Sequence, residues 1–434
     1  MSSDQTVQTP GSGAGLTEPA PDSIFANHDF LKLWAGETVS LIGTQVTQFA
    51  LPLVAVITLR ATVFEVGLLN ALKFVPVIVF SLFAGVWLDR RRRRPVMIAA
   101  ALGNVLLIGL VPIASAAGVL SIGLLYVVVA LAGSLGMVFD IGALSYVPSL
   151  VEPRHLSDAN SKIQAIRAFA GIAGPGLAGL LVGLITAPIT LSVDAVSYLF
   201  SAAGLISIRK PEPELERPEQ RPSVWSSLGE GLHAVYGNRL LFGLLTQGAA
   251  TNLFFGVFTT VFVVYAIRDL HMTPFTLGLV VGAAAAGSLA GALSGGRVRK
   301  WLGFRRTMII TTIGECAAPL ILLIPRHPTA PLVILMIAAQ LFYGLCLTID
   351  NVIVITVRQV VTPKQVLARM NAAYRMLLFG VAPIGMFLGG VLGSVFGVWT
   401  ALVIACVTMC VPIAWIFFAP VFRLSEMPEA PQTC

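Results

Sequence analysis

Among the ionisable side chains that stand inside long apolar stretches of the sequence, four are candidates for chemistry that moves a proton. They are Glu37, Lys73, Asp194 and Glu315. A carboxyl group surrounded by hydrocarbon favours its protonated form, so it can bind and release a proton as its surroundings change. Lys73 can pair with such an acid or repel cations from a cavity wall. These four residues are the predicted candidates for proton coupling, and the alternative for each acid is a neutral or paired structural role.

A block of basic residues follows a further acid. Asp89 precedes five consecutive arginines, residues 90–94, in the stretch GVWLDRRRRRPVMI. Basic residues close to a membrane surface gain about 1 kcal/mol each from anionic lipid head groups. We therefore expect the arginines to hold their loop on one side of a membrane and to contact membrane lipid.

The elements that position these residues are predicted to be membrane-spanning helices. Of the 434 residues, 56% are hydrophobic and 11% are charged, whereas an ordinary soluble domain has about 25% charged residues. A spanning helix needs about 20 mostly apolar residues. Twelve stretches qualify: 31–59, 65–88, 95–117, 120–150, 158–185, 187–208, 239–267, 275–296, 307–325, 331–357, 366–394 and 397–421. The sequence predicts an all-α membrane protein with twelve transmembrane helices.

Basic residues are distributed unequally between the two sides of these spans. Twenty-two fall on the side of the termini, and three, Arg60, Arg268 and Arg326, fall on the other. Since basic loops stay in the cytoplasm, both termini are predicted to be cytoplasmic in a bacterial plasma membrane. This topology explains the net charge of +7 without nucleic acid. Residues 1–24 lack the features of a signal peptide and are predicted to be a disordered tail, and residues 424–434 a second tail.

The second half of the chain repeats the first at a distance of about 210 residues. The matching pairs are RRPVMI (93–98) with RRTMII (305–310), RAFAGIAGP (167–175) with RMLLFGVAP (375–383), and Asp140 with Asp350. The repeat predicts two pseudo-symmetric six-helix halves, residues 25–208 and 239–423.

A linker, residues 209–238, separates the two halves and begins with a stretch rich in proline and charge. Later in the linker, Trp225, Leu228, Leu232 and Tyr236 recur at helical spacing on a polar background. This pattern predicts a short amphipathic helix on the membrane surface.

Two six-span halves resemble the major facilitator superfamily of secondary transporters. The signature of its loop between spans 2 and 3, G-x-x-x-D-R-x-G-R-R/K, is matched by Gly85, Asp89, Arg90, Arg93 and Arg94, whereas Arg92 replaces the second glycine. The stretches FDIGALSYVPSLV and ARMNAAYRMLLFGVAPIGMFLGG look like the subfamily of bacterial exporters that includes enterobactin and macrolide efflux proteins.

The resemblance implies a conformational latch on the cytoplasmic side. Asp89 would meet the amino-terminal end of a helix in the second half, where the helix dipole favours a carboxylate. Asp140 lies deep in its span, and Arg93 is long enough to reach toward it. Asp350, with an arginine of residues 305–306, would form the counterpart in the second half.

Span 5 contains GIAGPGLAG (171–179), which is similar to the antiporter motif of this superfamily. The resemblance therefore implies motif and hinge roles for Gly171, Gly174, Pro175, Gly179 and, at the matching repeat position, Pro383.

Span 8 carries Gly287, Gly291 and Gly295 at four-residue spacing. Small residues at this spacing allow helices to approach closely. The resemblance implies an approach to span 5 across the two halves, and tight packing within one half is the alternative.

Spans 1, 4, 7 and 10 line the central cavity in the superfamily, so the resemblance makes Glu37 the first candidate for the proton site. Aromatic and polar residues of spans 1 and 7 are candidates for the cavity wall, and a lipid-facing or core position is the alternative for each. These candidates are Gln45, Gln48, Phe49, Asn252, Phe254, Phe255 and Phe258.

Two enzyme signatures are missing from the sequence. No lysine follows a glycine, so no G-x-x-x-x-G-K-[ST] phosphate loop exists, and no H-E-x-x-H motif occurs. The five cysteines show no spacing of a disulfide framework or a zinc site. An enzyme is therefore the weaker class of function.

The favoured prediction is a monomeric exporter of a hydrophobic small molecule, driven by the proton gradient and needing no other cofactor. Import by proton symport and a non-transporting receptor with the same fold remain the alternatives.

Overall fold

The structure of the chain is a computed structural model. It describes residues 24, 27–74, 91–212, 224–324, 329–363, 365–424 and 426, and these residues form helices and no strands. Three residues of the predicted latch, Gly85, Asp89 and Arg90, lie outside the described residues.

Fifteen α-helices are described. Helices α1–α6 are His28–Leu53, Val63–Leu72, Arg93–Ala116, Ile122–Leu150, Leu156–Leu184 and Ala187–Ser207. Helices α7–α11 are Val224–Tyr236, Arg239–Arg268, Pro274–Leu302, Phe304–Ala317 and Ala330–Val361. Helices α12–α15 are Leu367–Gly380, Ala382–Phe396, Val398–Thr408 and Trp415–Phe418. Short π- and 3₁₀-helical turns extend α1 to Thr58 and α10 to Leu323.

Eleven helical segments of the described chain are long and apolar enough to cross a membrane. The shorter apolar helix α2 is the described part of the predicted span 65–88, and residues 75–90 lie outside the described residues. Two predicted spans are interrupted, one between α12 and α13 beside Pro383 and one after α14 near Pro412. Proline causes such breaks because it lacks an N–H donor and its ring clashes with the preceding turn.

Side-chain caps fix where several helices begin. The Asn27 Oδ1 atom accepts hydrogen bonds from the backbone N–H groups of Asp29 and Phe30, at 3.1 and 3.0 Å. Helix α1 therefore begins at His28, three residues before the predicted start. Thr62 and Glu65 form a capping box at the start of α2. These caps satisfy backbone donors that the first helical turn leaves unpaired.

Large apolar side chains cover much of the outer surface of the helices. Leu106 is 75% exposed, Leu293 is 71% exposed and Phe418 is 77% exposed. Contiguous apolar surface of this kind marks contact with a membrane or a partner rather than with water. Together with the eleven long apolar helices, it identifies a multi-pass membrane protein.

The helices before α7 and those after it are joined mainly by two helix pairs. Helix α9 packs against α5, and helix α13 packs against α2. Within the first group α1 packs against α5 and α6, and within the second group α9 also packs against α11. Helix α9 therefore has one face toward each group.

Glycines allow both faces of α9 to approach their neighbours closely. Gly287 and Gly291 face the backbone of α11 at Leu341 and Leu345. This is the second of the two predicted alternatives, packing within one half. The contact with α5 instead uses Gly278, which faces Pro175, and Gly282. Spans 5 and 8 thus face each other as the resemblance implies, whereas Gly287 and Gly291 follow the stated alternative.

The predicted linker helix is present as α7, and one of its faces packs against the protein. Gly231 and Val235 are buried against α12 and α8, whereas Tyr236 is 58% exposed. An ion pair between Glu230 and Arg369 joins α7 to α12. Helix α7 is thus held against the protein by apolar packing and by charge.

Candidate substrate cavity and acid sites

A cavity of about 290 Å³, here called the central cavity, lies between helices of the two groups. Helix α1 contributes Gln45, Gln48, Phe49 and Pro52 to its wall. Residues three and four positions apart share one face of a helix, so one face of α1 supplies both amide and aromatic groups. The cavity can therefore contact polar and apolar parts of one ligand.

The opposite wall of the central cavity is aromatic. Phe255, Phe258 and Phe262 follow one another along one face of α8, and Tyr343 extends this wall from α11. The rings of Phe255 and Tyr343 are stacked with centroids 5.5 Å apart, and those of Phe258 and Phe262 are stacked at 5.2 Å. Such a wall offers flat apolar area that can hold an aromatic or hydrophobic ligand.

The polar groups of the central cavity are almost all uncharged. Besides the two glutamines of α1, Asn70 and Gln340 contribute amides. Lys73 is the only charged residue among the described residues that line this cavity. The described wall therefore carries one positive charge and no acid.

Five of the seven predicted cavity residues line the central cavity: Gln45, Gln48, Phe49, Phe255 and Phe258. Asn252 instead lines a neighbouring cavity, together with Phe255. Phe254 lines neither cavity and packs against the hydrophobic core, which was the stated alternative for such residues.

A second cavity, here called the amino-terminal cavity, has a volume of about 370 Å³ and shares Gln48, Lys73 and Phe74 with the central cavity. Asp140 and Asp194 also line it. The Asp194 Oδ1 atom accepts a hydrogen bond from Ser197 at 3.1 Å. This predicted proton candidate is therefore buried but held by a hydroxyl donor.

Asp140 forms an ion pair with Arg167 of α5, with Nη2 and Oδ1 3.4 Å apart. Glu37, 3% exposed, lies within electrostatic reach of both residues. The Glu37 Oε1 atom is buried and has no hydrogen-bond partner among the described residues. The structure thus groups two acids and one arginine, with one carboxyl oxygen left unpaired.

A third cavity of about 200 Å³, here called the carboxy-terminal cavity, shares Phe255 and Tyr343 with the central cavity. Glu315 and Asp350 both line it and lie within electrostatic reach of each other. The Thr311 hydroxyl group donates a hydrogen bond of 3.5 Å to the Asp350 Oδ1 atom. The two acids therefore interact with each other, although the sequence predicted proton coupling for Glu315 and a latch role for Asp350.

Arg93 and Arg94, which belong to the predicted latch, make contacts that differ from the predicted ones. The backbone N–H groups of Arg93 and Arg94 donate to the carboxylate of Glu212, at 2.6 and 3.3 Å. The Arg94 side chain donates to the carbonyl groups of Leu205 and Ile206, both at 2.8 Å. These contacts anchor the start of α3 to the end of α6.

The predicted approach of Arg93 to Asp140 is not present in this conformation, because Arg167 occupies that position beside Asp140. In the second half, Asp350 is buried and Arg305 and Arg306 are exposed, with no contact between them among the described residues. The predicted pairing of Asp350 with an arginine is therefore absent from this conformation as well.

The residues of the antiporter-like motif lie at helix contacts. A Cβ atom added at Gly179 would lie 2.9 Å from the Phe275 Cα atom of α9, and Pro175 faces Gly278 of the same helix. Gly174 packs against Gln45 of α1, and Gly171 lies beside Ala285. The motif therefore allows α5 to pack closely against both α1 and α9.

The two predicted hinge prolines differ in their surroundings. Pro175 lies inside the continuous helix α5, whereas Pro383 stands in the first turn of α13, directly after the helix break at Val381. Proline is tolerated in a first turn because the N–H group there has no helical partner.

Arg167 is the main charged residue of the candidate acid site that the sequence patterns did not bring forward. It stands inside the predicted span 158–185 and matches Arg375 in the repeat. A charged residue inside a predicted span was the sequence feature that could have identified it. Tyr343 and Gln340 of α11 were also missed, since only spans 1 and 7 were considered for the cavity wall.

Comparison with known proteins finds that the chain is similar to membrane transporters. The family described as transmembrane secretion effector, MFS_3, matches residues 20–433. Macrolide efflux protein A of Streptococcus pyogenes is 25% identical over 273 residues, which are 61% of this chain and 65% of that protein. The match thus spans slightly less than two thirds of that relative's length. The multidrug efflux pump Tap of Mycolicibacterium fortuitum is 25% identical over 369 residues, 82% of this chain and 87% of that protein.

Solved structures with the same fold are also transporters. The nucleoside transporter NupG superposes with a TM-score of 0.67 at 14% identity, covering 91% of this chain and 99% of that chain. A bacterial homologue of the iron transporter ferroportin in an inward-facing state has a TM-score of 0.66 at 16% identity, covering 90% of this chain and 100% of that chain.

Proposed function

Because the chain belongs to the transmembrane secretion effector family of the major facilitator superfamily, we propose that it exports a hydrophobic or amphipathic small molecule across the bacterial plasma membrane in exchange for protons. The chain is a multi-pass membrane transporter and not an enzyme. A drug or a secondary metabolite is the proposed class of cargo. The macrolide and multidrug efflux proteins among the relatives support export as the direction.

The observation that carries this proposal is the central cavity. Its aromatic wall on α8 and its amide-bearing wall on α1 face a common space of about 290 Å³. Ligand sites of this kind are largely apolar, with a few polar groups that fix orientation. A hydrophobic molecule with one polar end fits this distribution.

The proposed architecture has twelve spans in two six-helix halves, with the linker helix α7 between them and both termini in the cytoplasm. The eleven long helices, the short helix α2 and the internal repeat support this count. The charge difference between the two sides supports the orientation.

In the proposed transport cycle, this conformation is open to the cytoplasm. The contacts of Gly179 with Phe275 and of Gly67 with Gly390 join the two groups of helices. They lie at the helix ends that adjoin Arg60 and Arg268, on the side predicted to be external. Rocking of the two halves about the cavity would open the opposite side in turn.

Glu37 is the proposed proton site. Its carboxyl group is buried beside Asp140 and Arg167, and one of its oxygens has no hydrogen-bond partner among the described residues. A carboxylate in this position would be costly to keep charged and unpaired. Binding and release of a proton there would couple the charge of Glu37 to the conformational change.

The test uses inside-out membrane vesicles with an acidic interior and follows the uptake of lipophilic dyes and macrolide-type compounds. We expect uptake that depends on the gradient and that falls at least about tenfold in Glu37→Gln, because the amide cannot carry the proton. The matched control is Glu152→Gln, which removes an acid from the exposed ion pair with Arg154 and should transport like the wild type.

The other outcomes separate the alternatives. Uptake retained in Glu37→Gln would contradict the assignment of this residue and direct attention to Asp194 and Glu315. Proton-driven uptake only in right-side-out vesicles would indicate an importer. Ligand binding without transport in either orientation would indicate a receptor.

A further inference from the structure

Lys73 lies where the central and amino-terminal cavities meet, and its side chain lines both. It follows the last residue of α2, Leu72. A lysine inside a membrane segment is costly and normally pairs with an acid. Its place on the cavity wall calls for an explanation.

The two acids that line the amino-terminal cavity together with Lys73 are engaged by other groups. Asp140 pairs with Arg167, and Asp194 accepts a hydrogen bond from Ser197. No ion pair of Lys73 occurs among the described residues, where its cationic end instead lies 5.9 Å from the centroid of the Phe74 ring. The sequence of residues 75–90 contains a single acid, Asp89, which stands sixteen positions after Lys73.

The surroundings of Lys73 in the central cavity contain no negative charge. The described wall there offers amides from Gln45, Gln48 and Asn70, and aromatic rings from α8 and α11. An ammonium group surrounded by amides and aromatic rings attracts an anion and repels a cation. No acid on the described wall balances the charge of Lys73.

We propose that the central cavity selects an amphipathic molecule with an acidic group, which binds Lys73 while its hydrophobic body lies against the aromatic wall. The acidic group is a carboxylate or a similar oxyanion that accepts charge-assisted hydrogen bonds from the ammonium group. The amides of Gln48 and Asn70 are placed to bind its remaining oxygens. This inference rests on the proposed function and narrows its substrate class.

A cavity that selects an acidic group would distinguish this chain from exporters that select cationic drugs. A protonated amine in the central cavity would meet the charge of Lys73 with no acid on the described wall to offset it. Neutral molecules would bind through the aromatic wall alone. We therefore expect the order of affinity to be anionic, then neutral, then cationic.

The experiment measures binding of three probes by the full-length protein in nanodiscs of zwitterionic phosphatidylcholine. The probes share a dansyl ring and a short alkyl chain, and they end in a carboxylate, a methyl ester or a primary amine. Empty nanodiscs correct for partition into lipid. We expect the carboxylate to bind about tenfold more tightly than the ester, a difference of about 1.4 kcal/mol, and the amine to bind most weakly.

Variants of Lys73 then test whether this residue causes the preference. Lys73→Gln should weaken binding of the carboxylate about tenfold, and Lys73→Arg should keep it within about threefold of the wild type. Lys73→Glu should reverse the order of carboxylate and amine. Unchanged binding of the ester shows that each variant is folded. The matched control, Lys300→Gln, removes an exposed lysine of α9 and should change nothing.

Two results would overturn the inference: equal or tighter binding of the amine by the wild type, or unchanged carboxylate binding in Lys73→Gln. Failure of the proposed function would appear differently, as an absence of gradient-driven movement of every probe in inside-out vesicles. A charge preference that depends on Lys73 would still be measurable in that case, so the two failures are distinguishable.

Discussion

At the scale of single residues, the ion pair between Asp140 and Arg167 is the clearest charge contact inside the helices. Breaking it leaves Asp140 without its partner. Because the two side chains are 54% and 33% exposed, we expect Arg167→Gln to lower stability by only about 1 kcal/mol. The measurement is thermal unfolding of the purified protein in detergent.

A double-mutant cycle isolates the pair. Asp140→Asn combined with Arg167→Gln should be less destabilised than the sum of the two single variants. Arg375→Gln is the matched control, since this arginine occupies the equivalent repeat position but lies near the Phe379 ring, 6.0 Å from its centroid. Additive effects of the two substitutions would contradict a direct interaction.

Sequence patterns predicted the side chains that share one helical face and missed those that depend on a neighbouring helix. Gln45, Gln48 and Phe49 were predicted because the resemblance places span 1 at the cavity, and the helical period of α1 brings them to one face. The contact between Asp140 and Arg167 depends on the relative rotation and depth of α4 and α5, which periodicity does not determine. The same limit explains why Arg93 was predicted as the partner of Asp140.

At the scale of helices, the contact of α5 with α9 depends on small residues at defined positions. A Cβ atom at Gly179 would lie 2.9 Å from the Phe275 Cα atom, whereas one at Gly183 would meet nothing within 4 Å. We expect Gly179→Ala to separate the two helices and cost about 1–3 kcal/mol. Gly183→Ala, one turn further along α5, should leave stability unchanged or raise it by up to about 1 kcal/mol.

Thermal unfolding of the two alanine variants measures this difference, and vesicle uptake reports its effect on transport. Equal unfolding temperatures would show that the α5–α9 contact is more tolerant than its geometry implies.

Helix packing of this kind was predictable only in part. The spacing of the glycines indicated close approach, but the sequence could not assign each glycine to a neighbour, so both possible neighbours of Gly287 and Gly291 stayed open.

At the scale of the whole molecule, the repeat predicted the equivalent positions of Asp140 and Asp350 but not their different surroundings. Asp140 is paired with an arginine, and Asp350 is buried beside Glu315. The two groups of helices have thus diverged in charge while keeping a common order of helices. Asp140 accordingly lines the amino-terminal cavity and Asp350 the carboxy-terminal cavity, with different charged neighbours.

The alternating movement of the two helix groups can be tested at the closed end. Phe64 of α2 and Phe387 of α13 meet edge to face with ring centroids 5.6 Å apart, and a Cβ atom at Gly393 would lie 3.0 Å from the Val63 Cβ atom. In a variant whose five cysteines are replaced, Val63→Cys with Gly393→Cys should form a disulfide bond under mild oxidation. The bond would keep α2 and α13 together, so we expect dye uptake to stop and to return after reduction. Each single cysteine variant should transport under both conditions. Full transport by the oxidised, cross-linked protein would mean that this contact does not open during the cycle, and the proposed rocking of the two halves would have to be abandoned.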